Sequence, residues 1–289
     1  MQSAKSSAGP TSNDHGQDEP EIAQYPLVDG CKAIIGPHAG YRFSGASAAW
    51  AYVCIKPETV RRVLVFGPSH HAYLEGCALS SFEQLETPLG NLAVDTRTNA
   101  ALRATKLFRI MSAQADGDEH SMEMHFPYLR KVFEKHEVSI VPILVGQLTE
   151  VSLAKYAPVL AELVADPSTL VVVSSDFCHW GERFRYTHYQ GEDGAPQRLS
   201  SRTPREEYST RPIYESIKAL DADGMTDISH SPQPVRPLAH ASAGEAREAF
   251  SSYLAETGNT ICGRNPISLL LATLHHLEKQ GNTFRYPAR

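Results

Sequence analysis

The chain has 289 residues, of which 42% are hydrophobic and 21% are charged, a composition typical of a globular protein with room for one large domain. Its net charge of -6 provides no basic surface for nucleic acid, and no apolar run approaches the roughly 20 residues of a membrane span. The five cysteines are scattered and odd in number. They argue against a disulfide framework and favour a reducing compartment, the cytoplasm or alternatively the nucleus.

The N-terminal segment, residues 1–30, is rich in Ser, Gly, Asp and Pro and contains no apolar signal-peptide core. It is predicted to be a disordered lead-in. Residues 31–289 are predicted to form a single α/β domain. Two polar stretches within that domain, at about 187–210 and 227–244, are predicted to be mobile surface insertions.

Three short aliphatic runs, at 32–35, 62–66 and 170–174, predict strands that are buried on both faces, as in a parallel sheet. The first two runs flank a predicted helix, which indicates a parallel strand–helix–strand unit. The turn at 87–90 predicts an antiparallel edge. The expected fold class is therefore mixed α/β, with a mainly parallel central sheet flanked by helices.

Each of the three runs leads into residues that bear chemistry: His38 after the first, His70 and His71 after the second, and Asp176 and His179 after the third. The carboxyl ends of parallel strands open onto one crevice, so these residues are expected to meet there. Adjacent residues in an extended segment point to opposite sides, so only one of His70 and His71 is expected to face the crevice. The preceding Pro-Ser step favours His70.

Each of these histidines, taken singly, could equally be a turn residue or a local hydrogen-bonding group. Their shared placement at one sheet edge favours a common site instead. Asp176 is either a carboxylate that orients His179 or binds a metal, or an N-cap on a loop-to-helix turn.

Cys262 precedes a predicted helix in which Asn265 is the N-cap and Pro266 the first residue. A helix N-terminus favours the thiolate form, which would make Cys262 a metal ligand or a nucleophile. The alternative is a small buried hydrophobic residue, the usual role of a free cysteine.

The remaining histidines carry a weaker signal. His120 and His125 are five residues apart and do not share a helical face, so one of them at most should line the crevice, and His125 is assigned to the pocket. The histidines of the polar insertions, His188, His230 and His240, are predicted to be solvated.

Two imidazoles combined with one thiolate would form a site suited to iron or copper, with zinc as a further candidate. Three protein ligands leave a coordination position open, as in catalytic sites and unlike closed structural sites.

Five segments together resemble the Memo family, whose members are cytosolic proteins named for mediating cell motility downstream of a receptor tyrosine kinase. They extend over most of the chain and occur in the family's order: IIGPHAGY at 34–41, LVFGPSHH at 64–71, DEHSMEMHFPY at 118–128, SSDFCHWG at 174–181 and NTICGR at 259–264.

This resemblance implies a fold like that of the LigB-type class III extradiol dioxygenases, which are non-haem iron enzymes. By motif position it implies that His38, His70 and Cys262 bind the metal, iron or copper, and that Asp176 and His179 line the pocket. The dioxygenases have a carboxylate where this family has the cysteine, so the resemblance leaves open whether the chain is an enzyme.

The chain also departs from the family pattern. The usual N-terminal Gly-Ser-Trp-Tyr element and the strand region after the last helix are absent from this sequence, and Asn265 replaces a common histidine.

Three functions remain open at this point. The first is a metal-binding protein with redox or oxygen-linked chemistry and a signalling role. The second is a metal-free enzyme in which Cys262 is the nucleophile, His179 or His70 the base and Asp176 the orienting carboxylate. The third is a non-enzymatic module that binds a signalling protein or a phosphopeptide in the same pocket. The sequence identifies no substrate.

Overall fold

The computed structural model describes residues 30–192, 194–208, 210–230 and 240–284. The predicted lead-in, apart from Gly30, and the centre of the second predicted insertion, residues 231–239, lie outside the described residues. The strands are β1 (Ala33–Gly36), β2 (Arg62–Pro68), β3 (Cys77–Leu79), β4 (Gln84–Leu85), β5 (Leu92–Val94), β6 (Arg109–Ile110), β7 (Ser139–Val145), β8 (Thr169–Ser174), β9 (His188–Gln190) and β10 (Pro196–Arg198).

Nine α-helices lie in the described part of the chain, together with three short 3-10 turns. The helices are α1 (Tyr41–Tyr52), α2 (Thr96–Ala104), α3 (Ala113–Asp118), α4 (His120–Glu123), α5 (Phe126–Val132), α6 (Glu150–Val164), α7 (Ile213–Ile228), α8 (Ala243–Thr257) and α9 (Arg264–Lys279). In these ranges no helix is long and apolar enough to cross a membrane.

The central sheet has eight strands, and its main path runs β1-β8-β2-β7-β3-β6. The first four strands are mutually parallel, whereas β3 is antiparallel to β7 and β4 pairs with β5 as an antiparallel hairpin. The predicted mixed, mainly parallel α/β class is therefore confirmed. The predicted parallel strand–helix–strand unit is present as β1-α1-β2, but β1 and β2 are not hydrogen-bonded neighbours, because β8 lies between them. Every residue of β8 is buried, so this strand needs a neighbour on each side.

The aliphatic runs build two cores, one on each face of the sheet. Leu64 and Phe66 of β2 point to the face covered by α6, α8 and α9, and Val63 and Val65 point to the face covered by α1 and α5. This alternation is what period-2 geometry requires of a strand buried on both sides.

The segment predicted as the first insertion contains ordered packing. β9 and β10 pair as a small antiparallel sheet, and the buried Tyr189 donates its hydroxyl hydrogen to the carbonyl of Arg211 at 2.8 Å. His188 and His240 are half-buried, and His230 is fully buried. The prediction that all three are solvated is wrong, because His230 is enclosed at the end of α7, where a β-bridge pairs its backbone with that of His240.

The fold brings the predicted chemistry-bearing loops to one edge. Gly36 of β1 lies opposite Ser174 of β8, and Phe66 of β2 lies opposite Val173. The loops after β1, β2 and β8 therefore leave the sheet side by side at its carboxyl edge.

Close backbone approach makes one glycine after β7 indispensable. A Cβ on Gly146 would overlap the carbonyl oxygen of Leu74, and Gln147 N–H donates to that same oxygen at 2.7 Å. The chain around Leu74 therefore has no room to retreat without losing this hydrogen bond.

We expect Gly146→Ala to lower the free energy of unfolding by about 1–3 kcal/mol, the usual cost of forcing extra volume into a packed region. Gly117→Ala is the matched control, because a Cβ there meets nothing within 4 Å and the residue lies in α3. That control should be neutral or stabilising. Urea unfolding followed by circular dichroism measures both, and equal stabilities would contradict the packing argument.

Candidate metal centre

His38 is fixed by hydrogen bonds that leave its Nε2 unprotonated. It is buried, and its Nδ1 lies 2.6 Å from Ser174 Oγ. The Ser174 hydroxyl donates its hydrogen to the carbonyl oxygen of Ser121 at 2.6 Å, and a carbonyl can only accept. Ser174 Oγ must therefore accept from His38 Nδ1–H, so Nε2 carries the lone pair.

His70 is oriented in the same way by a buried carboxylate. Glu119 accepts hydrogen bonds from His70 Nδ1–H at 3.0 Å, from His70 N–H at 2.8 Å and from Ser121 N–H at 3.0 Å. Burial alone would raise the pKa of Glu119, but these hydrogen bonds lower it to about 2. The ionised carboxylate accepts the Nδ1 hydrogen, and His70 Nε2 is left with its lone pair.

Cys262 lies between the end of β8 and the start of α9. Its Sγ is 3.3 Å from His38 Nε2 and accepts the N–H of Asp176 at 3.2 Å. The next residue, Gly263, donates its N–H to Ser175 Oγ at 3.2 Å, and a Cβ there would overlap Ser175. Only glycine lets the loop approach β8 this closely. Gly263, not the predicted Asn265, is the N-cap of α9.

The predicted preference of Cys262 for the thiolate does not hold in the metal-free chain. Burial raises the pKa of the Cys262 thiol to about 12 and outweighs the backbone hydrogen bonds that lower it. Burial likewise lowers the pKa of His38 to about 4, although Asp176 opposes this shift. Both groups are therefore neutral near pH 7, because desolvation penalises each charged form.

The donor atoms of His38, His70 and Cys262 all lie within 4.8 Å of one another. The histidine rings meet edge to face with their centroids 5.1 Å apart. Two neutral imidazoles with free Nε2 lone pairs and one thiol that a cation can deprotonate form a suitable donor set for a transition metal.

Asp176 and His179 adjoin this donor set. Asp176 accepts the N–H groups of His38 at 3.0 Å and Ala39 at 3.2 Å, so it fixes the loop that carries His38. His179 Nδ1 lies 2.9 Å from the carbonyl oxygen of Thr260, which makes this nitrogen the donor and leaves Nε2 free. Asp176, His179 and Cys262 form a second group of donor atoms within 4.8 Å.

His120 faces the crevice and His125 does not. His120 stacks on His70 at 4.6 Å, and its ring centroid lies 5.7 Å from those of both His38 and His71. His125 is only 1% exposed, and its Nδ1 lies 2.7 Å from the hydroxyl of Tyr52. The assignment of His125 to the pocket is corrected, because α4 ends at Glu123 and the chain then turns His125 beneath the sheet edge.

Glu119, Ser174 and Thr260 were not identified from the sequence as parts of this site. Glu119 directly precedes His120, a position typical of a helix-capping residue. It does cap α4, because its side chain accepts the N–H of Ser121. Its location inside the long 118–128 segment was the only available signal. Ser174 and Thr260 act through bonds to residues more than 80 positions away, and no local pattern reports such bonds.

Comparison with known proteins agrees with the segments described above. The family model described as "Memo-like protein" matches residues 22–288. Protein MEMO1 of Danio rerio is 44% identical, and that of Homo sapiens 43%, each over 252 residues that cover 86% of this chain and 74% of the relative. The protein memo-1 homolog of Caenorhabditis elegans is 38% identical over 257 residues, covering 89% of this chain and 65% of the relative.

Among solved structures, an uncharacterized protein of Escherichia coli K12, JW3007, matches with a TM-score of 0.44 and 16% identity, covering 84% of this chain and 87% of the other. The family match spans nearly all of the chain, and the MEMO1 proteins of Danio rerio and Homo sapiens exceed 40% identity over most of it. By this evidence, the chain belongs to the Memo-like family.

Proposed function

We propose that this protein binds iron or copper through His38, His70 and Cys262. The observation that supports this most directly is the convergence of three donor atoms within 4.8 Å, together with the hydrogen bonds that turn both imidazole Nε2 lone pairs away from Ser174 and Glu119. Imidazole and thiolate donors favour these metals over magnesium or calcium, with zinc as the third candidate.

The proposed centre carries redox or oxygen-linked chemistry. A bound iron or copper ion would supply one-electron exchange and an open position for a small ligand. Beside the three donor residues lie His120, which stacks on His70, and Asp176 and His179, which adjoin Cys262. Of these, His120 is the exposed ring at the mouth of the crevice, so it is accessible to an incoming ligand.

The metal-free nucleophilic enzyme is less well supported. Such an enzyme needs a thiolate beside an imidazolium, as in Cys-His pairs. Here burial raises the pKa of the Cys262 thiol to about 12, so the thiolate that His179 or His70 would have to generate is strongly disfavoured. A metal cation reverses this preference, because its charge deprotonates a coordinating thiol.

Metal content tests the donor set directly. We expect the protein, purified without added metal, to retain iron or copper, and His38→Ala, His70→Ala and Cys262→Ser each to lower that content at least tenfold. His136→Ala serves as the control, because His136 is exposed on the loop before β7. Elemental analysis of matched preparations measures the result. A Cys262→Ser protein with undiminished metal content would contradict the proposal. A protein that contains zinc but neither iron nor copper would contradict the choice of metal.

The tautomers of the metal-free histidines test the orientation argument. We expect His38, His70 and His179 to carry their proton on Nδ1, because each Nδ1 donates to an oxygen acceptor. Long-range proton–nitrogen NMR spectra of the side chains distinguish the two tautomers, with His136 as a solvent-exposed reference. Protonation of His38 or His70 on Nε2 would contradict the proposed ligand geometry.

The carboxylate behind His70 should govern metal affinity. Glu119→Gln replaces an oxygen that accepts an N–H with an NH2 group, so one of its hydrogen bonds to His70 or Ser121 is lost. We expect iron affinity to fall about 10–100-fold, measured by competition with a chelator. Glu134→Gln, which alters an exposed carboxylate paired with Lys131, should bind as the unmodified protein does. Equal affinities for the two variants would contradict the role of Glu119.

A further inference from the structure

A line of aromatic rings joins the protein surface to the floor of the candidate metal centre. Tyr41 is 44% exposed, and its ring meets that of Tyr128 edge to face at 5.7 Å. Tyr128 stacks on Tyr52 with centroids 4.8 Å apart and planes inclined by 7°. The buried Tyr52 then reaches His125, with its hydroxyl oxygen 2.7 Å from Nδ1.

The inner end of this line lies under the strand that leads to His38. A Cβ built on Gly36, at the end of β1, would lie 3.1 Å from His125 Cε1. Gly36 is paired in the sheet with Ser174, the residue whose hydroxyl holds His38. The His125 ring is thus separated from the metal-ligand layer by the thickness of one glycine backbone.

The three tyrosines differ in what accepts their hydroxyl hydrogen. Tyr41 donates to the carbonyl of Met124 at 3.0 Å, and Tyr128 donates to the carbonyl of Gly45 at 2.7 Å. A backbone carbonyl cannot take up a proton at physiological pH. Tyr52 alone donates to a base, the imidazole of His125, so it alone can release its proton within the protein.

The contacts of Tyr52 and His125 determine the direction of the hydrogen bond between them. Among the described residues, neither the Tyr52 hydroxyl nor the buried His125 Nε2 has another hydrogen-bond partner. A bond donated by Nδ1–H would leave both of these groups unpaired, whereas a bond donated by the hydroxyl leaves only Nε2–H unpaired, and each unpaired buried group costs about 1–3 kcal/mol. Tyr52 therefore donates to Nδ1, and the buried phenol has a base beside it.

We propose that Tyr52 and His125 form a proton-coupled redox pair, and that Tyr128 and Tyr41 carry the oxidising equivalent from this pair to the surface. The relay would protect the site when peroxide is reduced there, and to that extent it rests on the proposed iron binding.

The oxidant is the hydroxyl radical, formed with hydroxide when hydrogen peroxide takes one electron from iron(II). The radical takes one electron from Tyr52 and becomes hydroxide, while the Tyr52 O–H bond breaks and its proton passes to His125 Nδ1. The products are a neutral phenoxyl radical and an imidazolium. A phenol radical cation is a far stronger acid than imidazolium, so this proton transfer is favourable even for a buried histidine.

The missing electron is then transferred from Tyr52 to the surface. Tyr41 supplies one electron through Tyr128 and releases its phenolic proton to solvent, while Tyr52 regains its proton from His125. The sum is Tyr41 plus hydroxyl radical giving the Tyr41 phenoxyl radical plus water. An external one-electron reductant, such as a thiol, restores Tyr41 by returning one electron and one proton.

The first experiment needs no metal. Metal-free protein is oxidised by a flash-generated ruthenium(III) polypyridyl ion, and neutral tyrosyl radicals are followed by transient absorption and freeze-quench electron paramagnetic resonance. We expect Tyr41→Phe, which removes the outer end of the relay, to lengthen the radical lifetime at least tenfold, because the oxidising equivalent then stays on the buried Tyr52. Tyr214→Phe is the control, since Tyr214 is an exposed tyrosine of α7 whose hydroxyl donates to neighbouring Glu215. Equal lifetimes in the two variants would overturn the proposal.

The second experiment tests delivery to the surface in iron(II)-loaded protein treated with hydrogen peroxide. We expect dityrosine cross-links at Tyr41, mapped by mass spectrometry, to fall at least tenfold in Tyr52→Phe and Tyr128→Phe but not in Tyr214→Phe. Iron is measured in the same samples. If the protein contains iron and the cross-linking does not depend on Tyr52, the relay is overturned and the proposed metal binding is not. If the protein contains no iron, the proposed metal function is overturned, and the ruthenium experiment still tests the relay.

Discussion

The structure depends on the register between β1 and β8, which sets Gly36 opposite Ser174. This single pairing positions the Ser174 hydroxyl to accept from His38 and to donate to Ser121. It thereby joins the loops after β1 and β8 to the turn that begins α4. A shift by one residue would point Ser174 to the opposite face of the sheet and would leave the buried His38 without its hydrogen-bond partner.

A second constraint is the chemistry of the acceptors behind the imidazoles. Carboxylate and carbonyl oxygens cannot donate, and the Ser174 hydroxyl has already used its hydrogen, so each acceptor determines which nitrogen of its histidine is protonated. Glu119, Ser174 and the Thr260 carbonyl thus direct three Nε2 lone pairs without contacting a ligand themselves. The orientation of the site is consequently built into the hydrogen-bond network before any ion binds.

Much of the fold was predictable because aliphatic runs and the loops after them are local signals. The runs identified β1, β2 and β8, and the parallel geometry of a buried sheet implied that His38 and His70 would meet. Strand order was not predictable, since the insertion of β8 between β1 and β2 depends on pairing across more than 100 residues. Glu119 was missed for a similar reason, because its partner His70 is 49 positions away. The choice between His120 and His125 depended on where α4 ends, and helix boundaries are poorly defined by sequence.

Burial explains why the site has the electrical character it does. Desolvation disfavours every charge in the pocket, so His38 and Cys262 are neutral when alone, and only an ion that brings its own positive charge can stabilise a thiolate there. The same low polarity extends beneath β1, where Tyr52 and His125 are buried together. In such surroundings an electron cannot leave Tyr52 without its proton, because a radical cation would be left unsolvated. The dry interior that keeps His38 and Cys262 uncharged would therefore also require the base that lies beside the Tyr52 phenol.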